Sequence, residues 1–70
     1  MSDLAKNIGM RIRSLREDQG MSQQEFALMI GINRAYIGDV ELGKRNIAIK
    51  NLEKIAKGLG VTVGELLEGL

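Results

Sequence analysis

Four glycines divide this chain into segments that are long enough for short helices and little else. Gly20, Gly31, Gly43 and Gly60 each follow a run in which apolar residues recur every three or four positions. This spacing places apolar side chains on one helical face, and a glycine just past such a run ends the helix because it adopts a left-handed backbone at little cost. The pattern predicts an all-α fold of five helices with no strand.

The predicted helices each have an inner face. The first covers about residues 3–18, the third covers 34–42, and the fourth lies before Gly60. Apolar spacing assigns to these inner faces Leu4, Ile8, Ile12 and Leu15 in the first helix, Ile37 and Val40 in the third, and Leu52, Ile55, Ala56 and Leu59 in the fourth.

Two capping boxes mark the starts of the second and fifth helices. Ser22 precedes Glu25, and Thr62 precedes Glu65, each by three positions. In this motif the hydroxyl oxygen accepts a hydrogen bond from a free backbone N–H while the glutamate reaches back. Asn33, a favoured N-cap, opens the third helix only two residues after Gly31. The connection is therefore tight, and residues 22–42 have the length of a helix-turn-helix.

The composition excludes several classes of protein. A chain of 70 residues has room for one core, so we expect one domain over residues 1–70. It has no cysteine and no histidine, which excludes a disulfide framework and a zinc cluster and removes the commonest acid–base side chain. No nucleotide loop or nucleophile motif compensates. We expect no enzyme activity, no metal and no cofactor.

The apolar stretches are far shorter than the roughly 20 residues that span a bilayer. Residues 1–20 carry charges throughout instead of the apolar core of a signal peptide. We therefore expect no membrane association and a cytoplasmic location.

The net charge of +1 is small, but the charges are unevenly distributed. All ten lysines and arginines precede position 58, among them Arg11, Arg13, Arg16, Arg34, Lys44, Arg45, Lys50, Lys54 and Lys57. Two acidic residues, Glu65 and Glu68, lie near the C-terminus among leucines. Two interpretations stay open: the charges solvate helix surfaces, or one end of the molecule faces phosphate and the other faces protein.

The stretch from Ser22 to Asn46 resembles the Cro and phage-repressor (XRE-like) helix-turn-helix family. The matching positions are Gln23, Glu25, Ala27, Gly31, Ile37, Glu41, Gly43, Leu52, Ala56, Leu59–Val61 and Leu66–Leu67. The resemblance covers almost the whole chain and implies a lambda-repressor-like domain that binds double-stranded DNA and regulates transcription.

Within this family the chain looks most like restriction-modification controller proteins, on the runs Asn33–Ile37, Arg45–Asn46 and Ile49–Glu53. That resemblance implies a dimer bound upstream of restriction and controller genes. Solitary repressors and antitoxins share much of the pattern, and contact with RNA polymerase stays open because the sequence does not separate activator from repressor. The main rival is a protein-interaction module on the same fold.

The start of the third helix supplies the candidates for base reading. Arg34 lies where a recognition helix meets base edges, and its guanidinium can donate two hydrogen bonds to guanine. Ala35 can contact a thymine methyl, and Asp39 can accept from cytosine N4. Asn33 and Tyr36 can reach phosphate or a neighbouring base. The alternative for each is an ordinary solvated side chain.

Two groups of residues are candidates for phosphate contact. Ser22 and Gln23 stand at the N-terminus of the second helix, whose dipole attracts anions, and Gln23 matches the glutamine that meets phosphate in the family. Lys44, Arg45 and Asn46 lie just past the third helix as a second clamp, and we expect Lys44 and Arg45 to have no acidic neighbours. A polar turn is the alternative for this trio.

The resemblance also implies an ion pair between Arg16 and Glu41 that fixes the third helix. At the C-terminus, apolar residues outnumber what a five-residue helix can bury at the edge of a small core. We assign Leu66 to the core and Val63, Leu67 and Leu70 to a homodimer interface. A two-fold dimer would place two recognition helices roughly 34 Å apart, which matches an inverted-repeat operator.

Overall fold

The computed structural model describes residues 3–70, so the first two residues of the expected domain lie outside the described part. Five helices follow in order: α1 (Asp3–Asp18), α2 (Gln23–Ile30), α3 (Arg34–Glu41), α4 (Ile49–Leu59) and α5 (Val63–Leu67). No strand occurs between residues 3 and 70, and the predicted all-α fold is confirmed. None of the five helices is long and apolar enough to cross a membrane.

Each helix contributes one fully enclosed side chain to a common core. These five are Ile12, Phe26, Ile37, Ile55 and Leu66, all at 0% exposure. Burying a side chain of this size contributes roughly 1.5–3 kcal/mol, so no helix is stable apart from the others. Leu4, predicted to lie on the inner stripe of α1, is instead 53% exposed, whereas Ile8 and Leu15 pack against the core.

The helix starts follow the predicted local chemistry. Ser22 Oγ accepts from the backbone N of Glu25 at 3.0 Å, and the Glu25 carboxylate accepts from the backbone N of Ser22 at 2.9 Å. Thr62 and Glu65 form the same box at 3.0 and 2.9 Å. Asn33 Oδ1 accepts from the N of Ala35 at 2.7 Å and caps α3. The third helix ends one residue earlier than predicted, with Leu42 as its C-cap.

Polar side chains of the α1 segment satisfy the C-terminal carbonyls of the last two helices. Gln19, just past α1, donates from Nε2 to the carbonyl oxygen of Leu59 at 2.8 Å. Arg11 donates from Nη1 to Leu66 O at 3.3 Å and from Nη2 to Glu68 O at 3.1 Å. The last carbonyls of a helix have no donor within the helix and otherwise accept hydrogen bonds from water. The bonds from Arg11 and Gln19 satisfy them and also connect the α1 segment to α4 and α5.

Candidate nucleic-acid interface

The tight turn between α2 and α3 depends on Gly31 and Asn33. Gly31 has φ of +71°, a left-handed conformation that a side chain would strain, and Asn33 caps the next helix two residues later. The two helices therefore meet at a fixed angle, and α3 presents its outer face to solvent. Gln23, Arg34, Ala35, Gly38, Asp39 and Leu42 line a single groove along that face.

The groove brings together three of the five candidate base-reading residues. Arg34 and Ala35 are exposed, and Asp39 is half-buried. Asn33 is also exposed, but its Oδ1 is occupied by the N-cap bond, which leaves its amide N–H groups free for an outside acceptor. Tyr36 lies on the flank of α3, against Arg45.

Arg16 and Glu41 form a buried, two-pronged ion pair. Arg16 Nε lies 2.7 Å from Glu41 Oε2, and Nη2 lies 2.9 Å from Oε1, with both side chains less than 10% exposed. The third guanidinium nitrogen, Nη1, donates to the carbonyl oxygen of Met21 at 2.7 Å. The hydrogen bond to Glu41 raises the pKa of Arg16, so the guanidinium stays charged, and its two bonds to Glu41 fix the C-terminal end of α3.

Gln23 connects this ion pair to Arg34 on the outer face of α3. Its Nε2 donates to Glu41 Oε1 at 3.0 Å, and its Oε1 accepts from Arg34 Nη1 at 3.0 Å. The candidate phosphate ligand is thus already bonded at both ends to protein, although Nε2 keeps a second N–H. Spacing along the chain gave no sign of this bridge, because it joins residues on two helices.

Arg45 does not lie apart from acidic groups, and the expectation that the Lys44–Asn46 clamp lacks acidic neighbours is wrong for this residue. Its Nε lies 3.4 Å from Asp39 Oδ2, and its guanidinium lies 5.0 Å from the centroid of the Tyr36 ring. The chain reverses at Gly43, where φ is +74°, and returns along α3. Arg45, six positions after Asp39, is thereby brought beside the outer face of α3.

Lys44 and Asn46 are exposed. The backbone N of Lys44 donates to Asp39 O at 2.9 Å, which fixes the path of the loop, and its ammonium group takes part in no ion pair within the described residues. Lys44 is therefore the member of the clamp whose charge is free for an outside anion.

The N-terminus of α2 carries its own acid. Glu25 accepts hydrogen bonds from Ser22, which lower the pKa of this exposed carboxyl. Ser22 Oγ accepts from the backbone N of Glu25, and the Ser22 hydroxyl also contributes to lowering the pKa of Glu25. At this end of the groove the second Nε2 hydrogen of Gln23 is a donor that the internal bonds leave for an outside acceptor.

The candidate dimer residues differ in exposure. Val63 and Leu67 are half-buried against the core, and Leu70 is 41% exposed. Sequence reasoning assigned no role to Ile49, which is 76% exposed at the start of α4. The signal was present, because Ile49 continues the spacing of Leu52 and the rest of the α4 stripe one turn beyond the core.

Proteins of known sequence and structure are similar to this chain along most of its length. The helix-turn-helix family model HTH_3 matches residues 12–66. Control protein C.MunI from a Mycoplasma species is 39% identical over all of this chain and 96% of that protein. The restriction-modification controller C.AhdI from Aeromonas hydrophila, 39% identical, superposes with a TM-score of 0.87 over 94% of this chain and 98% of the other.

A third match is a complex with nucleic acid. It is the tetramer of the restriction-modification controller protein C.Esp1396I with its natural 35-base-pair operator. That chain is 36% identical, with a TM-score of 0.86 over 96% of this chain and 92% of the other.

Proposed function

The chain belongs to the HTH_3 helix-turn-helix family and is a transcriptional regulator of the restriction-modification controller type, and we propose that it binds an inverted-repeat operator as a homodimer. The observation that carries this proposal is the outer face of α3. The guanidinium of Arg34 is held by Gln23 at the start of α3. Two small residues, Ala35 and Gly38, follow it on the outer face of the helix.

That face fits the dimensions and chemistry of a major groove. The groove of B-DNA is about 12 Å wide and admits one helix, provided that the side chains facing the bases are short. Gly38 otherwise lowers helix propensity by about 1 kcal/mol, and nothing inside the protein requires it, since an added Cβ would meet its nearest atom at an ordinary 3.6 Å. Arg34 is then the side chain that reads a guanine.

Phosphate contacts on both sides of α3 would fix its register. The N-terminal amides of α2, with Ser22 and Gln23, supply donors on one side, and Lys44 supplies a free positive charge on the other. The Arg45–Asp39 pair reduces the repulsion that a carboxylate facing DNA would otherwise experience.

The homodimer is supported by apolar surface that the monomer leaves open. Leu70 and Ile49 are exposed, and Val63 and Leu67 are only partly covered. An isologous pairing through Val63, Leu67 and Leu70 would set two copies of α3 about one helical turn apart, roughly 34 Å. Operator occupancy would then depend on protein concentration, which gives such a regulator a threshold.

Selection from a library of random DNA duplexes tests the proposal. We expect enrichment of an inverted repeat with half-sites about one helical turn apart, and affinity that falls steeply with salt, because several phosphates are neutralised. The Arg34→Ala variant should lose a factor equivalent to about 1–3 kcal/mol on the selected operator and almost nothing on random duplex. Failure to enrich any sequence, together with salt-independent or absent duplex binding, would favour a protein-interaction module instead.

A further inference from the structure

The side-chain amide of Gln23 spans the two ends of α3. Its Nε2 is bonded to Glu41, the last residue of α3, and its Oε1 to Arg34, the first. These partners are seven positions apart on the helix, about 10.5 Å along the axis. A single side chain from α2 therefore connects the buried end of the recognition helix with the end that carries the candidate base-reading group.

The chemistry of its partners allows this amide only one orientation. A carboxylate accepts and does not donate, whereas a guanidinium donates and does not accept. Glu41 must therefore face the NH₂ end of Gln23, and Arg34 must face the carbonyl end. The opposite orientation would set oxygen against oxygen and N–H against N–H. Glu41 is itself held by Arg16, so the orientation of the amide is fixed from inside the protein.

Arg34 gains a defined position from this bond. An exposed arginine otherwise samples many rotamers, and ordering it on contact with DNA reduces affinity. One Nη1 hydrogen is used by Gln23, which leaves four of the five guanidinium N–H groups for the O6 and N7 acceptors of a guanine. The guanidinium is thus held in place before DNA arrives.

We propose that Gln23 is a positioning residue for Arg34, through which the buried Arg16–Glu41 pair determines how sharply the protein discriminates a guanine in its operator. This inference rests on the proposed function, in which Arg34 reads that base. It assigns Gln23 a role beyond phosphate contact, which its second Nε2 hydrogen still permits.

Binding measurements on four proteins test this role: wild type, Gln23→Met, Arg34→Ala and the double variant. Each is titrated with the selected operator and with the same duplex changed at the guanine that Arg34 reads. Gln23→Met keeps the length of the side chain and removes both hydrogen bonds, and it should lower discrimination at that base pair by about tenfold, on the scale of one base contact. Gln24→Met, at the exposed neighbouring position on α2, is the matched control and should change nothing.

The salt slope and the double variant separate positioning from other roles. In the Arg34→Ala background the loss caused by Gln23→Met should vanish, because the residue it positions is gone. Equal losses on all duplexes with a salt slope lower by about one would identify Gln23 as only a phosphate ligand and overturn the inference. A discrimination loss that persists without Arg34 would overturn it as well.

Failure of the proposed function has a different signature. If Arg34→Ala leaves discrimination unchanged, the base-reading assignment itself is wrong; if Arg34→Ala abolishes it and Gln23→Met does not, only the positioning role is wrong. Thermal unfolding of every variant checks the fold. Should Gln23→Met be unfolded at the assay temperature, Gln23→Asn, which keeps the amide but is too short for both partners, replaces it with the same expected loss.

Discussion

The carbonyl oxygen of Val40 occupies the space that a Cβ on Gly9 would need, so α1 and α3 meet backbone against backbone. The carbonyl oxygen of Glu41 would also lie only 2.7 Å from that Cβ. Backbone oxygens of a packed helix cannot move aside as a flexible side chain can. Gly9 therefore sets how close α3 lies to α1.

The substitution Gly9→Ala should destabilise the protein. Forcing a methyl group into this contact costs about 1–3 kcal/mol, which outweighs the gain in helix propensity. Urea unfolding measures the loss, and Gly64→Ala, where the nearest atom to the added Cβ is 3.8 Å away, is the control. An unchanged midpoint in Gly9→Ala would show that α1 and α3 can separate without cost.

The substitution Gly38→Ala should have opposite effects on stability and on binding. The added Cβ meets only ordinary contacts in the free protein, so helix propensity should raise stability by up to about 1 kcal/mol. Affinity for the operator should fall, because the methyl group keeps α3 from the floor of the major groove. Unfolding and binding titrations on the same variant test both halves, and unchanged affinity would mean that Gly38 lies away from the DNA.

Replacing Lys44 by alanine should weaken binding to all duplexes alike and lower the salt slope by about one. The reason is that its ammonium group forms no ion pair within residues 3–70 and is free for phosphate. Titrations at several salt concentrations measure the slope. Lys54→Ala, an exposed lysine on α4, is the control, and an unchanged slope in Lys44→Ala would remove Lys44 from the interface.

The substitution Leu67→Glu should shift the protein from dimer toward monomer, because a carboxylate in an apolar interface loses its hydration without a partner. Sedimentation across micromolar concentrations measures the effect, and Leu28→Glu, at a leucine 73% exposed on α2, controls for the added charge. A wild type that is monomeric at operator-binding concentrations would contradict the dimer. A dimer that Leu67→Glu leaves intact would place the interface elsewhere.

The capping box at α2 should make the free energy of unfolding depend on pH in the acidic range. Hydrogen bonds from Ser22 lower the pKa of Glu25 from its ordinary value of 4.5. A carboxyl with a lowered pKa stabilises the fold fully above that ordinary value and loses its contribution as the pH falls through the lowered one. Unfolding of wild type and Glu25→Gln at a series of pH values should differ near neutrality and converge in acid. A constant difference across the series would exclude a role for the charge.

Local chemistry explains why the helices were predictable. Gly31, Asn33 and the Ser22–Glu25 box act within a few residues of chain, so their spacing alone set the ends of α2 and α3 to within one residue. Arg45 and Gln23 were different. Their partners depend on the path of the chain after Gly43 and on how α2 lies across α3, which no short stretch of sequence encodes.

The amphipathic pattern also had limits at the starts of two helices. Leu4 and Ile49 each continue an apolar stripe, but each extends one turn past the core and is exposed. Periodicity indicates which face of a helix is apolar and does not say what covers it. To know what covers that face, one needs the positions of the neighbouring helices or of another subunit.

The hydrogen bonds from Arg11 to the carbonyls of Leu66 and Glu68 join residues 55 and 57 positions apart. Contacts of such separation form late in folding, because a long loop must close before they contribute any free energy. On a ribosome, α1 is made first but cannot form these bonds until α2, α3 and α4 have been made and α5 has followed them. The surface proposed for pairing, which includes residues of α5, would therefore form only after the other four helices, and a nascent chain would fold around them before it could associate with a second copy.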